Sequence, residues 1–291
     1  MKIIAIFLSL FVQQFIIYSN GQTIKFQNAT VVISKENNVR IHAFKPPDYV
    51  VSSYVLELPT KLVVIDFQLN PESGNLFYSY VTSLKKPIDR SILTHYHFDH
   101  WNGYDSFAKV APVYALTESI DQIRSFYING KPNDFRNRAI EFLNYTRPIK
   151  LGMERIDGIL FNYERIQGGE NLNTLLISLP MHQAVAVGDL VYNKFHVYVG
   201  ETTDFSQWIK ILNYMKVKYP YRNILIGHGD PAKACNYQET IDYIEYVRNV
   251  ANTFKTLPEY RASILKVYPN YPNEAIVNCP FTNLTCPFGN F

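Results

Sequence analysis

The sequence carries only three cysteines in 291 residues, Cys235, Cys279 and Cys286. So few thiols exclude a dense disulfide scaffold and leave one cysteine over if two of them pair. Cys279 and Cys286 bracket a Pro-containing tail and can close a small loop, although other pairings stay open. In that arrangement Cys235 is expected to be a free thiol, buried as a small apolar residue. No run of Lys or Arg exceeds two residues and the net charge is only +3. The basic stripe of a nucleic-acid partner is therefore missing. There is no Gly-x-Ser-x-Gly elbow for a serine nucleophile, and no Gly-rich phosphate loop to imply nucleotide chemistry. Low-complexity segments and internal linkers are absent as well. With 47% hydrophobic and 18% charged residues, disorder is not the default reading.

What is present begins with an export signal. Lys2 precedes the apolar run Ile3 to Val12, and Ser19-Asn20-Gly21 offers small residues for cleavage. A membrane anchor is the rival reading, but a spanning helix needs about 20 predominantly apolar residues. Gln13-Gln14 interrupts this one, and no other segment is long enough to span. Residues 1–21 are thus expected to be a removed signal peptide, with no stable membrane insertion afterwards. The mature domain covers 22–275, and 276–291 forms a short Cys- and Pro-containing tail without a retention tetrapeptide. Three sequons at Asn28, Asn144 and Asn283 support a secreted glycoprotein.

Extended, β-branched segments at Thr30 to Ser34, Val39 to Phe44, Tyr54 to Leu58 and Leu62 to Phe67 read as strands. Leu76, Phe77, Tyr80, Val81 and Leu84 recur with helical spacing over Pro71 to Lys86, which Pro87 stops. A strand at Arg90 to Leu93 leads into His95, and another at Val113 to Leu116 precedes a helix over about Glu118 to Tyr127. Pro132 to Tyr145 is less regular, a helix and loop placed over the site. Ile149 to Ile166 gives two or three strands. Thr174 to Leu179 and Ala184 to Val187 form a pair around the turn Pro180 to Gln183. Phe205 to Lys218 is an amphipathic helix, Asn223 to Ile226 a strand, and Tyr237 to Phe254 a long helix. The order predicts one α/β domain with two sheets back to back and helices outside.

The densest chemistry is His95-Tyr96-His97-Phe98-Asp99-His100. Three imidazoles and a carboxylate directly after an apolar strand form a ligand cluster suited to Zn²⁺ and other borderline divalent ions. His95 and His97 alternate and can face one ion, while Asp99 and His100 reach a second beside it.

The segment from Thr94 to Gly103 resembles the THxHxDHxxG signature of the metallo-β-lactamase superfamily. The resemblance runs over Thr23 to Phe254, nearly the whole mature chain. It implies a four-layer αββα sandwich with the metals at one rim. It further implies that Asp189, in Gly188-Asp189-Leu190, bridges the two ions, and that His228, in Gly227-His228-Gly229, is the last ligand. One position departs from the pattern. Where the superfamily supplies a histidine in a Gly-His turn, this chain reads Gly168-Gly169-Glu170-Asn171, ten residues or so before Pro180. Glu170 is the natural replacement, as in alkylsulfatase-like members, with Asn171 a weaker substitute. The resulting set holds four imidazoles and three carboxylates, a charge of +1 with two divalent ions, against +2 for a histidine site. That weakens Lewis acidity and favours harder ions.

These residues imply a hydrolase using two divalent ions, Zn²⁺ first with Fe²⁺ or Mn²⁺ as alternatives. The resemblance implies that a hydroxide held by the metals would attack an ester, lactone, lactam or thioester of a small-molecule substrate, with Asp99 and Asp189 in catalytic roles. The rival readings are an iron-dependent thiol or persulfide dioxygenase of the same fold and a non-catalytic metal-binding protein. His196 is a candidate for substrate binding or proton donation as well as for a structural role. Asp230 is a candidate to orient His228. His42 is read as structural, and His182 as an exposed turn residue.

Overall fold

Runs that are apolar at every position need cover on both faces, and the strands of this chain obtain it by splitting alternate side chains between two cores. Val55, Leu62 and Val64 enter the cluster beneath the first helices, while Tyr54, Leu56, Val63 and Ile65 enter the core between the sheets. Val185 and Val187 pack under the last helices, and Ala184 and Ala186 face the intersheet core. Each fully buried aliphatic side chain contributes about 1.5–3 kcal/mol in this way.

The computed structural model describes residues 21–47, 51–130, 135–202, 204–251, 253–254 and 256–278. The leader up to residue 20, the sequon at Asn283, and Cys279 and Cys286 lie outside these residues. Strands β1 (Gln22–Phe26), β2 (Ala29–Glu36), β3 (Val39–Lys45), β4 (Ser53–Glu57) and β5 (Leu62–Ile65) form an antiparallel meander. β6 (Ile88–Ile92), β7 (Val113–Ala115) and β8 (Thr146–Pro148) extend that sheet in parallel. The second sheet holds β9 (Gly152–Ile156), β10 (Ile159–Gln167), β11 (Asn173–Leu179) and β12 (Ala184–Gly188) antiparallel, with β13 (Asn223–Ile226) parallel to β12.

Helices α1 (Pro71–Ser83), α2 (Phe98–Trp101), α3 (Asp105–Ala108), α4 (Thr117–Ile123) and α5 (Arg136–Tyr145) cover the first sheet. α6 (Phe205–Lys218), α7 (Asn236–Ala251) and α8 (Leu257–Val267) cover the second. The result is the expected αββα sandwich. Asn70 caps α1 by accepting from the Ser73 N–H at 2.9 Å, with Pro71 in the first turn. The helix ends before Lys85, whose φ of 55° is left-handed, so it stops short of Pro87. Among the described residues no helix is long and apolar enough to cross a membrane.

Three sequence expectations need correction. The helix anticipated to Tyr127 is α-helical only to Ile123 and continues as a π-helical turn over Arg124–Ile128. That wider turn sets Phe126 against Tyr96, ring centroids 5.1 Å apart, and Tyr127 against Trp101 at 5.4 Å. His182 is buried rather than exposed: the β11–β12 turn folds against the β2–β3 hairpin, where His182 Nε2 meets Asn38 Oδ1 at 3.0 Å. Cys235 is exposed rather than buried, because it sits in the turn entering α7 and not on its packed face.

Candidate metal centre

The parallel strands deliver the site. β5 and β6 end side by side in the first sheet, β12 and β13 in the second, and all four C-terminal ends meet at one rim. A hydrogen bond from the Leu175 N–H to the Thr94 carbonyl at 2.8 Å and one from the Ser52 N–H to the Gly227 carbonyl at 2.7 Å tie the rims together. His95 to His100 follow β6, Asp189 follows β12, His228 follows β13, and Glu170 lies in the turn before β11.

The structure brings all seven sequence-designated donors together. They fall into two groups, His95, His97, Glu170 and Asp189, and Asp99, His100 and His228, with donor atoms inside each group within 4.8 Å of one another. Asp189 spans both: its Oδ2 is 3.7 Å from His95 Nε2 and 2.9 Å from His228 Nε2, and its Oδ1 is 3.5 Å from His100 Nε2. Glu170 is fully buried, with Oε1 at 3.3 Å from His97 Nδ1. Asn171 is its support, donating to Glu170 Oε2 at 2.8 Å while its own carbonyl oxygen accepts the Asn173 N–H at 2.9 Å. Asp99 is the least buried of the three carboxylates, and its Oδ2 lies 3.6 Å from His228 Nε2 and 3.7 Å from His100 Nε2.

Two carboxylates that the sequence did not single out organise this cluster. Asp66, directly after β5, accepts the Thr94 N–H and hydroxyl, each at 2.8 Å, and meets His100 Nδ1 at 2.9 Å. Because the Thr94 hydroxyl donates to Asp66, it accepts from His95 Nδ1 at 3.0 Å. The network thereby assigns the tautomers: His95 and His100 spend their Nδ1 protons outward and turn Nε2 toward the cluster. Glu201, on the loop before α6, meets His97 Nε2 at 3.2 Å and accepts the Tyr96 hydroxyl. Asp66 had one legible signal, an acidic residue closing a wholly apolar strand; Glu201 had none.

Charge and orphaned atoms show that a cation fits. His100 Nε2, Glu170 Oε1 and Asp189 Oδ1 are buried with no hydrogen-bond partner among the described residues, although such groups are normally satisfied. Burial pushes the Glu170 carboxyl up, opposed by His97 and reinforced by Asp189 and Glu201, to about 8. Burial would lower His97, but Glu170 and Glu201 hold it up, to about 10. Burial drives His95 well down, with His100 adding to it. Imidazole lone pairs converging with carboxylate oxygens in this way make a donor set for divalent ions. The backbone is shaped to the same end. A Cβ on Gly227 would collide with Asp189 Oδ1 and stand 2.7 Å from His100 Cε1. One on Gly103, the glycine of the histidine motif, would strike the Phe67 carbonyl oxygen.

Two further candidates do not join the site. His196 is buried in a tyrosine cluster, its Nδ1 2.9 Å from the Tyr243 hydroxyl and its ring 5.7 Å from that of Tyr271. It touches none of the seven donors and packs as part of that cluster. Asp230 does not orient His228; its carboxylate is exposed and pairs with Lys45. The His228 ring is instead stacked between Tyr192 and Phe195, with centroids at 6.2 and 5.6 Å. His42 is structural as expected, bridging the Tyr80 hydroxyl and Glu57 at 2.6 and 3.0 Å.

Comparison with known proteins agrees with this architecture. No curated protein matches the chain. Among solved structures, a metallo-beta-lactamase from Pontibacter korlensis is similar at 15% identity with a TM-score of 0.56, over 77% of this chain and 99% of that one. TMB-1 is similar at 18% identity with a TM-score of 0.55, over 74% and 97%. A metallo-beta-lactamase from Erythrobacter litoralis is similar at 14% identity with a TM-score of 0.55, over 77% and 99%. Identities this low speak for the fold. A sequence profile described as the metallo-beta-lactamase superfamily matches residues 46–228, the stretch that holds all seven donors, and the chain belongs to that superfamily.

Proposed function

We propose that the protein is a secreted hydrolase that uses two divalent metal ions, Zn²⁺ foremost, on an ester, lactone, lactam or thioester bond of a small-molecule substrate. The observation that carries this reading is the division of the donors into two adjoining groups joined by Asp189. A mononuclear iron oxygenase needs three donors with open positions; a second complete group beside the first favours the two-ion hydrolytic arrangement. His95, His97 and Glu170 would hold one ion, Asp99, His100 and His228 the other, and Asp189 both.

When bound, the ions supply Lewis acidity and lower the pKa of water. The chain's own residues do the rest. Asp66 and Thr94 hold the His95 and His100 rings so that only Nε2 faces inward. Asp99, the donor carboxylate most open to solvent, would offer Oδ2 to the second ion and keep its other oxygen to pass a proton to a leaving group. Half-buried Phe98, next to His97 in sequence, and half-buried Tyr198, 6.0 Å from the His97 ring, border the cluster. Apolar walls of this kind exclude water and favour a substrate with an apolar portion.

Export is part of the proposal. Asn28, in the β1–β2 turn, and Asn144, near the end of α5, are both exposed to a glycosylating enzyme. The deciding experiment measures turnover of chromogenic lactam, lactone and thioester substrates before and after removal of metal with a chelator. Metal-dependent turnover of one class is expected. Equal turnover in protein confirmed to be metal-free sinks the proposal.

A further inference from the structure

We infer that Glu201 is the positioning residue of His97, accepting a hydrogen bond from its Nε2–H and so fixing Nδ1 as the atom that faces the cluster. The inference rests on the metal centre proposed above but concerns a residue outside its seven donors. Its geometry is specific. His97 Nδ1 lies 3.1 Å from His95 Nε2 and 3.3 Å from Glu170 Oε1, so this nitrogen looks into the first donor group. The opposite nitrogen, Nε2, lies 3.2 Å from Glu201 Oε2. With a cation at Nδ1 the imidazole would carry a single proton, and a carboxylate on the Nε2 side holds it there. His97 would therefore bind through Nδ1, whereas His95 and His100, whose Nδ1 atoms face Thr94 and Asp66, present Nε2.

A surface ion pair would not have this effect, but Glu201 is not one. Only 19% of its side chain is exposed, and its Oε1 is buried with no hydrogen-bond partner among the described residues. The Tyr96 hydroxyl donates to the same Oε2 that faces His97. Tyr96 lies between the two ligand histidines in sequence, is itself buried, and packs its ring 4.6 Å from that of His97. The loop between β12 and α6 is thus fastened to the histidine motif through one carboxylate oxygen. Tyr198, on the same loop, closes over His97 at 6.0 Å and keeps the pair in a low-dielectric setting where a charge-assisted hydrogen bond is strong. The carboxylate also makes the imidazole a better donor to a cation on its far side.

The test is nitrogen NMR of ¹⁵N-histidine-labelled protein loaded with zinc, paired with zinc titration against a chromophoric chelator. In the wild type, His97 is expected to be zinc-bound at Nδ1 and protonated at Nε2. Glu201→Ala should weaken one of the two zinc-binding steps by about 10- to 100-fold and leave the other unchanged. Glu201→Gln keeps an acceptor oxygen, so it should retain the tautomer and recover most of the affinity. Tyr96→Phe removes the second donor only, and should keep His97 bound through Nδ1. Zinc at His97 Nε2 in the wild type overturns the inference, as does wild-type affinity with an unchanged tautomer in Glu201→Ala. Should Glu201→Ala fail to fold, the wild-type tautomer and Glu201→Gln decide the matter. Wild-type protein that takes up no zinc overturns the metal centre itself, a result distinct from either of these.

Discussion

Replacing Glu170 by glutamine removes one negative charge from the first donor group while keeping its shape and one oxygen. The donor atoms of His95, His97, Glu170 and Asp189 lie within 4.8 Å of one another, so this charge acts at short range on a cation held among them. A pair of unit charges about 4 Å apart is worth about 4 kcal/mol at an effective dielectric of about 20. Part of that is offset by the cost of keeping a fully buried carboxylate ionised, a cost the variant no longer bears. A net loss of about 2–3 kcal/mol corresponds to roughly 30- to 150-fold weaker binding at one of the two sites. Glu170→His, in contrast, restores the superfamily's usual imidazole and should hold Zn²⁺ at least as well as the wild type while binding Mn²⁺ less well. Calorimetric titration with Zn²⁺ and Mn²⁺ reads both effects. Two ions bound by Glu170→Gln with wild-type affinities would refute the reasoning and make Glu170 a buried turn residue with no ion to serve.

Three other outcomes follow from the same structure. Gly227→Ala places a methyl group against Asp189 Oδ1 and His100 Cε1; it should cost about 1–3 kcal/mol in urea unfolding and lower the metal content, and unchanged values for both would show that the rim yields. Asp66→Asn keeps the shape but loses the charge that fixes His100, so metal affinity should fall about 10- to 100-fold, checked by chelator competition. His196 is pushed by burial from 6.5 down to about 4. The unfolded chain therefore takes up a proton below about 6.5 that the folded chain refuses, and stability is lost as pH falls from there toward 4. By pH 5 that loss is about 2 kcal/mol. His196→Gln should remove about this much of the difference between urea midpoints at pH 7 and pH 5; an undiminished difference would contradict the assignment.

Much of the site was legible because its donors are concentrated in sequence. His95, His97, Asp99 and His100 occupy six consecutive residues, and Asp189 and His228 each end a short apolar strand, so local pattern was enough. Glu170 was legible only through its place in the order of elements. Asp66 and Glu201 were not, because single carboxylates gain meaning from distant partners. Asp66 reaches Thr94 across 28 positions only once β5 and β6 pair, and Glu201 reaches His97 across 104 positions through an irregular loop. The errors share that origin. His182 sits in a turn whose burial depends on the β2–β3 hairpin closing over it, and Cys235 in a turn that nothing closes over. Asp230 stands two positions after His228 in sequence, whereas tertiary folding brings it Lys45. The fold itself was readable because strands apolar at every position demand two cores, and only stacked sheets with helices outside supply both.

Seven donors in two groups that meet at Asp189 give the proposed centre a definite stoichiometry of two divalent ions. Elemental analysis of the purified, zinc-equilibrated protein, alone and as Asp189→Asn, tests it most directly. Two ions per chain are expected in the wild type, and fewer than two in the variant together with loss of hydrolysis. One ion or none in the wild type, or two ions and undiminished turnover in Asp189→Asn, would contradict it.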